Sequence, residues 1–353
     1  MNDNKEVHPF ARKCLIAMKR PDVLHERQAL ESQGWYDFAS NTNPNGMWTN
    51  VYPDLACKKL KKAYRQVLVE ETVNCLVSQA PSDDEMLVCR GITDGIELLI
   101  RGFCEPGQNT VLIPEPTFFM YEYWAKANSV DIEKTQLTGE NYNRVNIEAV
   151  QKSTSKLIFL CSPNNPVGTT LQIEHIAEIA RATKALVIVD EAYIEYSKEP
   201  SSVRLIKEYP NVVVLRTLSK AWGLAGVRCG VVIAQPSIIN ALSLVQGPFA
   251  IPYHSQDSAA HCLERRNTVM EQVATTRIER ARVASKLASS RHVKRVFPSE
   301  ANFLLVEFDN AKAIYERLLK KKIIVDPAWH HIPNTIRISI SRAITNDVLL
   351  ADL

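Results

Sequence analysis

Short, uninterrupted apolar runs alternate with amphipathic stretches between about residues 86 and 234 of the chain. The amphipathic stretches at 94–103 and 173–182 repeat apolar residues at helical spacing. Apolar runs without polar alternation are typical of strands that are buried on both faces of a parallel sheet. The pattern therefore predicts an α/β fold with helices on both faces of a mostly parallel sheet. The predicted strands are residues 86–89, 110–113, 156–161, 185–190, 211–219 and 230–234.

The pattern changes after about residue 245, where a long charged helical stretch precedes short strands and a basic helix. This part predicts a smaller α+β domain, whose strands include "NFLLVEF", "IIVD" and "TIRISI". The first 44 residues show no strong periodicity. We therefore expect a large domain over residues 45–245, a small C-terminal domain over residues 246–353, and an N-terminal segment, residues 1–44, that packs on the small domain.

Composition narrows the class of protein without identifying its chemistry. The chain has 353 residues, 46% hydrophobic and 23% charged, and its net charge of +3 is too weak to attract nucleic acids or anionic membranes. Its longest apolar runs are too short to span a membrane, and its charged N-terminus is unlike a secretory signal. Eight scattered cysteines show neither a CxxC pair nor the spacing of metal ligands. We expect a soluble cytoplasmic protein that binds no metal, nucleic acid or membrane.

Four polar motifs lie at the ends of predicted strands, at the edge of the sheet where ligands bind in folds of this class. Taken alone, each has a simpler interpretation as a turn, a helix cap or a solvated surface charge. The chain lacks G-x-G-x-x-G and G-x-x-x-x-G-K-[ST], which argues against a dinucleotide site or a nucleotide-phosphate loop. The motifs are "RGITDG" (90–95), "CSPNNPVGT" (161–169), "VDEAY" (189–193) and "TLSK" (217–220).

Taken together, the motifs resemble those of a known family. "GIELLIRGFCEPG", "CSPNNPVG", "DEAYIEY", "LRTLSKAWGLAGVRCG" and "SEANFLLVEF" are similar, in this order, to motifs of the class I and II aminotransferases, fold-type I enzymes that use pyridoxal 5′-phosphate (PLP). The resemblance runs from about residue 36 to about residue 342 and is strongest to the histidinol-phosphate aminotransferases. It implies a large PLP-binding domain with a mostly parallel sheet flanked by helices, a smaller α+β C-terminal domain, and a homodimer.

The resemblance assigns the covalent chemistry to Lys220, as a Schiff-base lysine that also moves a proton once the substrate has displaced it. Such a lysine needs a lowered pKa, which burial and the nearby Arg228 would supply. The resemblance also implies that Arg228 grips the cofactor phosphate together with the hydroxyls of Thr217 and Ser219. A planar guanidinium fork suits a phosphate better than an ammonium group does.

The resemblance places Asp190 opposite the pyridine nitrogen, where a carboxylate keeps the ring protonated and electron-withdrawing. Asn165 and Tyr193 correspond to the hydrogen-bond partners of the ring's 3′ oxygen. The expected catalytic residues are therefore Lys220, Asp190 and Tyr193. Phe118 stands where relatives stack an aromatic ring on the cofactor, although a core phenylalanine is the alternative interpretation.

Three further residues complete the expected cofactor site. Thr93 and Asp94, at the start of a predicted helix, would offer backbone N–H groups to the cofactor phosphate. Tyr52 matches a tyrosine that these enzymes extend to the phosphate of the neighbouring subunit. Each site would then be shared across the homodimer.

On the substrate side, Arg337 matches the arginine that holds the substrate's α-carboxylate, or the phosphate of histidinol phosphate. Arg342 would join this anion site only if the chain turned after Ser341, and a surface cation is the alternative. Asn43 matches a segment that closes over the substrate, although a simple Asn-Pro turn explains it almost as well. The chain departs from many relatives near these positions, so the sequence leaves the exact substrate open.

The leading hypothesis is a ping-pong transaminase that takes the amino group of histidinol phosphate and passes it to 2-oxoglutarate, in histidine biosynthesis. Its partners would be a small-molecule amino donor and a 2-oxo acid. Aromatic amino acids are alternative donors. Because "DFASNTNPNGM" resembles the threonine-phosphate decarboxylases, decarboxylation of a phosphorylated amino acid is a further alternative. A non-enzymatic regulatory module of this fold usually carries a DNA-binding domain in front, but residues 1–44 show no helix-turn-helix pattern.

Overall fold

The computed structural model of the protein describes residues 6–18, 36, 38, 40–47, 50–73 and 80–353. Its larger sheet contains the strands β1 Met86–Cys89, β2 Thr110–Glu115, β3 Asp131–Gln136, β4 Leu157–Cys161, β5 Leu186–Asp190, β6 Val212–Thr217 and β7 Gly230–Ile233. They lie in the order β1-β7-β6-β5-β4-β2-β3. Neighbouring strands are parallel except at β7, which runs antiparallel to β1 and β6. The predicted mostly parallel sheet is confirmed.

Helices cover this sheet, and those that pack directly on it turn an apolar stripe toward it. The helix at Ile92–Phe103 buries Ile96, Leu99 and Ile100 completely, and each such side chain stabilises the fold by about 1.5–3 kcal/mol relative to an exposed one. The helix at Ile173–Ala182 has the bounds that its pattern predicted. The helices of this part are α1 Lys13–Ile16, α2 Lys58–Val73, α3 Ile92–Phe103, α4 Met120–Ala127, α5 Ile147–Lys152, α6 Ile173–Ala182, α7 Pro236–Val245 and α8 Tyr253–Leu263.

A second, antiparallel sheet forms a smaller α+β unit, as the sequence predicted. Its strands lie in the order β10-β9-β8, and they are β8 Val293–Val296, β9 Phe303–Phe308 and β10 Thr335–Ser339. The helices are α9 Arg266–Ala288, α10 Ala311–Lys320 and α11 Ala343–Ala351. Helix α9 belongs to both units, because Val269 and Val273 enter the larger core while Val283 and Leu287 enter the smaller one.

Two strands differ from the sequence prediction. The edge strand β3 was not predicted, because its residues "DIEKTQ" are charged and exposed where no further strand covers them. The predicted strand "IIVD" is reduced to one bridge, between Asp326 and Arg337. Pro327 follows Asp326 and has no N–H to continue a ladder, so the prediction of a strand there was wrong.

The described part of the N-terminal segment lies on the larger unit, which corrects the expectation that it packs on the smaller one. The Arg12 amide donates to the Gly102 carbonyl at 2.9 Å, and the Arg12 guanidinium pairs with Glu105 at 3.2 Å. The His8 amide donates to the Ser237 carbonyl at 3.1 Å. The sequence carried no signal for this choice, because it lacks a periodic apolar face. Most of residues 19–39 lie outside the described residues.

Two chain-wide observations bear on the expected class. Every helix among the described residues is too short or too polar to cross a lipid bilayer. The seven described cysteines are free thiols, five of them buried; Cys75 lies outside the described residues.

Candidate active site

A cavity of about 540 Å³ opens where the polar loops after β4, β5 and β6 face the smaller unit. This volume is within the range of pockets for small ligands and cofactors. The carboxyl ends of parallel strands meet at one edge of the sheet, and therefore motifs far apart in sequence converge here. Ten predicted site residues line the cavity: Thr93, Phe118, Asn165, Asp190, Tyr193, Thr217, Ser219, Lys220, Arg228 and Arg337.

One end of the cavity is built to hold an anion. Helix α3 begins at Ile92, and Ile92 and Thr93 of its first turn line this end. The Asp94 N–H, which was expected to face the phosphate, instead donates to the Gly91 carbonyl at 3.1 Å. Arg228 lies against Gly91, whose φ is +79°, and a Cβ at that glycine would come 2.7 Å from Arg228 Nη2. Thr217 and Ser219 add two hydroxyl groups to the cavity wall, and their oxygens lie 3.1 Å apart. The donor set suits a phosphate group.

Asp190 is a buried carboxylate of the cavity wall, at the end of β5 and 1% exposed. The Tyr121 hydroxyl donates to its Oδ2 at 2.7 Å, and the Ala192 amide donates to its Oδ1 at 3.1 Å. Burial raises the pKa of Asp190 to about 6, while these hydrogen bonds and the Lys220 charge act in the opposite direction. A protonated ring nitrogen in contact with this carboxylate would favour its charged form.

Lys220 extends from the loop after β6 into the cleft, with Nζ 5.5 Å from the centre of the Tyr193 ring. Lys220 is exposed to the open cleft, but the surrounding walls bury enough of the side chain to lower the pKa of the amine. The Arg337 charge lowers this pKa further, and Arg228 adds a smaller effect. Burial was predicted to lower this pKa together with Arg228, but Arg337 has a larger effect on it than Arg228 has. A lowered pKa leaves more of the amine neutral and able to react.

Arg337 joins the two sides of the cavity. Its Nη1 donates to Asn165 Oδ1, in the loop after β4, although Arg337 itself lies on β10 of the smaller unit. Its guanidinium carbon lies 5.2 Å from the centre of the Phe303 ring. The Tyr193 and Phe303 rings are nearly perpendicular, with centres 5.2 Å apart. This packing fixes the guanidinium beside Asn165 and Tyr193.

Asp94 and Arg342 do not line the cavity. The Asp94 carboxylate accepts from the amide and the guanidinium of Arg90, each at 2.8 Å, and thereby holds the turn before α3. Strand β10 ends at Ser339, and Arg342 is the exposed N-cap of α11. Of the two interpretations of Arg342, the structure favours the surface cation.

Asn43 and Tyr52 also lie outside the cavity of this chain. Asn43 is exposed, and its Oδ1 accepts from the Asn45 amide at 3.0 Å, which is the geometry of a local turn. Tyr52 stacks on Phe249 with ring centres 4.7 Å apart and is half exposed. The residues before Tyr52, at 48–49, lie outside the described part of the chain.

Sequence reasoning missed five polar residues of the site, including the buried Thr117 on its wall. Tyr121 binds Asp190, and no signal in the sequence distinguished it from the other aromatic residues at the start of α4. Asp326, His330 and His331 line the cavity from the smaller unit. No motif identified them, because "IIVD" was interpreted only as a strand.

Replacing Tyr121 by phenylalanine is expected to weaken PLP binding by about tenfold to a hundredfold. The hydroxyl donates to an ionised carboxylate, and a hydrogen bond to a charged group contributes about 1.5–3 kcal/mol. The ring should stay in place, since it stacks on Phe159 with centres 4.9 Å apart. Titration of the apoprotein with PLP measures the effect. Tyr123→Phe, an exposed position on the same helix, is the control, and equal dissociation constants in both variants would contradict the assignment.

The residues of the cavity fit PLP. The anion-binding end suits its phosphate, Asp190 suits its ring nitrogen, and Lys220 suits its aldehyde. Phe118, half-buried on the cavity wall, offers a ring face, and its edge contact with Tyr121 at 5.7 Å holds it. Among the described residues, His, Cys, Asp and Glu side chains form no cluster of three or more that could hold a metal ion.

The chain is similar to known proteins over nearly its whole length. A family model described as "Aminotransferase class I and II" matches residues 34–352. A histidinol-phosphate aminotransferase of Parabacteroides distasonis is 37% identical over 316 residues, 88% of this chain and 88% of that protein. The crystal structure of the histidinol-phosphate aminotransferase from Clostridium acetobutylicum has a TM-score of 0.76 at 25% identity, covering 90% of this chain and 98% of that one.

A further solved structure supports the fold alone. The histidinol-phosphate aminotransferase from Sinorhizobium meliloti, in complex with pyridoxal-5'-phosphate, has a TM-score of 0.76 at 23% identity. The match covers 99% of this chain and 88% of that one.

Proposed function

The chain belongs to the class I and II aminotransferases, a PLP-dependent family, and on that premise we propose that it transfers the amino group of histidinol phosphate to 2-oxoglutarate. The observation that carries the proposal is the convergence of Lys220, Asp190 and Arg228 on one cavity, with Arg337 as a separate cation on the substrate side. Relatives with this activity in their names, at 36–38% identity, support the choice of substrate.

The residues of the chain perform three tasks in this reaction. PLP, when bound, supplies an electron-withdrawing ring that stabilises negative charge at the substrate Cα. Lys220, whose amine has a lowered pKa, takes the proton from Cα. Asp190 holds the proton on the ring nitrogen, which is what makes the ring electron-withdrawing.

The remaining residues bind and orient. Arg228, Thr217, Ser219 and the first turn of α3 hold the cofactor phosphate at one end of the cavity. Arg337, on the substrate side, binds the anionic group of the substrate. Since Arg337 also donates to Asn165, substrate binding is coupled to a residue that we assign to the cofactor's 3′ oxygen. Two fixed anion sites leave the substrate Cα little freedom to move away from Lys220.

The active unit that we propose is a homodimer in which Tyr52 reaches the phosphate site of the partner. Its support is the match of Tyr52 to the family's motif, together with its exposed position away from the cavity of its own chain. We also propose that the enzyme works in the cytoplasm, because scattered cysteines without paired spacing are typical of a reducing compartment.

Incubation of the PLP-loaded protein with histidinol phosphate and 2-oxoglutarate tests the function. We expect stoichiometric formation of glutamate. Release of carbon dioxide from threonine phosphate without glutamate would instead identify a decarboxylase. Glutamate formed with aromatic amino acids but not with histidinol phosphate would show that the enzyme uses aromatic amino donors.

A further inference from the structure

The substrate side of the cavity carries an ion pair that the transamination chemistry does not require. Arg337 Nη2 donates to Asp326 Oδ2 at 2.6 Å, and both side chains line the cavity. Their main chains pair as well, through N–H to O contacts of 3.1 and 2.9 Å. The carboxylate is therefore fixed beside the guanidinium by the backbone and not only by its own rotamer.

The ion pair is accessible from the cavity. The side chain of Asp326 is 49% exposed and that of Arg337 is 21% exposed. On its other side Arg337 is held by Asn165 and by the Phe303 ring. A substrate anion that binds Arg337 must therefore do so next to a negative charge that is already in place.

The other charges of the cavity have roles in binding the cofactor. Among the described lining residues, Lys220, Arg228 and Asp190 serve the aldehyde, the phosphate and the ring nitrogen. Beside Asp326 lie His330 and His331, and burial lowers the pKa of His331, so that its imidazole is neutral near pH 7. The substrate thus meets one guanidinium, one carboxylate and two imidazole rings.

We infer that Asp326 is a specificity-determining residue. It accepts an N–H group, such as that of an imidazole ring, from an amino donor whose anionic group is held by Arg337. It also disfavours a second carboxylate at the same place, because two like charges would meet there at short range. That the N–H donor is an imidazole rests on the proposed function. The discrimination between N–H donors and carboxylates rests on the ion pair itself.

A ping-pong transaminase binds both of its substrates in one site, so this carboxylate acts in opposite directions in the two half-reactions. It favours binding of the imidazole-bearing donor and disfavours binding of the dicarboxylate acceptor. Loss of a residue with a merely structural role would instead weaken the binding of both substrates. The ratio of the two affinities therefore reports the role of Asp326.

The experiment uses the PLP-loaded enzyme and two probes without an amino group, maleate and imidazole-4-acetate. Each carries one carboxylate for Arg337, and they differ in the second group, a carboxylate or an imidazole. Binding is followed by the change in PLP absorbance. In Asp326→Asn we expect the ratio of the two dissociation constants to shift by about tenfold in favour of maleate, since the charge is only partly exposed.

The control is Asp309→Asn, an exposed acid of the smaller unit that lies 3.7 Å from Lys294, and its ratio should equal that of the wild type. An unchanged ratio in Asp326→Asn, even if both probes bind more weakly, would overturn the inference. Neither probe needs turnover, so the result stands whether or not histidinol phosphate is a substrate. A wild-type enzyme that forms no glutamate from histidinol phosphate would overturn only the proposed function.

Discussion

Replacing Lys220 by alanine is expected to lower the rate of transamination by at least about four orders of magnitude, because one amine serves as both the covalent attachment point and the proton carrier. The same change should abolish the covalent retention of PLP after borohydride reduction. Mass spectrometry of the reduced protein measures the second effect independently of activity.

The matched control is Lys184→Ala, an exposed lysine before β5, at the end of that strand opposite the cavity. It should retain PLP and activity at wild-type levels. If the Lys220 variant still trapped PLP to the same extent, another amine would carry the cofactor and the assignment of the site would fail.

The Lys220→Ala variant also tests the shared site of the proposed dimer. Mixed with Tyr52→Ala under conditions that exchange subunits, it should recover about a quarter of wild-type activity, since half of the randomly paired dimers carry one intact site of two. Recovery requires that Tyr52 of one chain serves Lys220 of the other. No recovery above the sum of the separate variants would argue that each chain completes its own site.

Replacing Asp190 by asparagine is expected to lower kcat by about a hundredfold to a thousandfold. A carboxylate in contact raises the pKa of its partner by about 1–3 units, at about 1.4 kcal/mol each, and the amide cannot hold the ring proton in this way. Stopped-flow measurement of each half-reaction should show the loss in both. Asp131→Asn, an exposed acid at the start of β3, should behave as the wild type.

The pH dependence of cofactor binding carries a second signature of Asp190. Since its pKa is raised to about 6, the carboxyl is neutral below that pH and offers the ring no charge. PLP affinity of the wild type should therefore fall as the pH drops through about 6. The phosphate of PLP titrates near pH 6 in any variant, so the difference between wild type and Asp190→Asn isolates the carboxyl. Parallel pH profiles would contradict the assignment.

The sequence predicted the residues whose type is dictated by chemistry. Lys220, Asp190 and Arg228 stand in motifs after buried strands, and the parallel sheet alone is enough to bring such positions together. Helix α3 was predicted to within two residues of its observed start, because its apolar spacing is regular over three turns.

The sequence did not predict features that depend on packing between distant segments. Tyr121 looked like one more aromatic residue of an amphipathic helix, and only the fold shows its hydroxyl on Asp190. Asp326 looked like the end of a strand, and its importance arises from Arg337, which lies on the strand across from it. The N-terminal segment lacked a periodic face, so nothing in its pattern chose between the two units.

Helix α9, at about 1.5 Å per residue, is about 34 Å long and is anchored at its two ends in different hydrophobic cores. If either core unfolds, α9 loses the packing contacts of that core. We therefore expect heat or denaturant to unfold both units in a single cooperative transition. Any closing movement of the smaller unit over the cleft must accordingly bend, tilt or slide α9. Substitutions along this helix would then alter how widely the cleft opens.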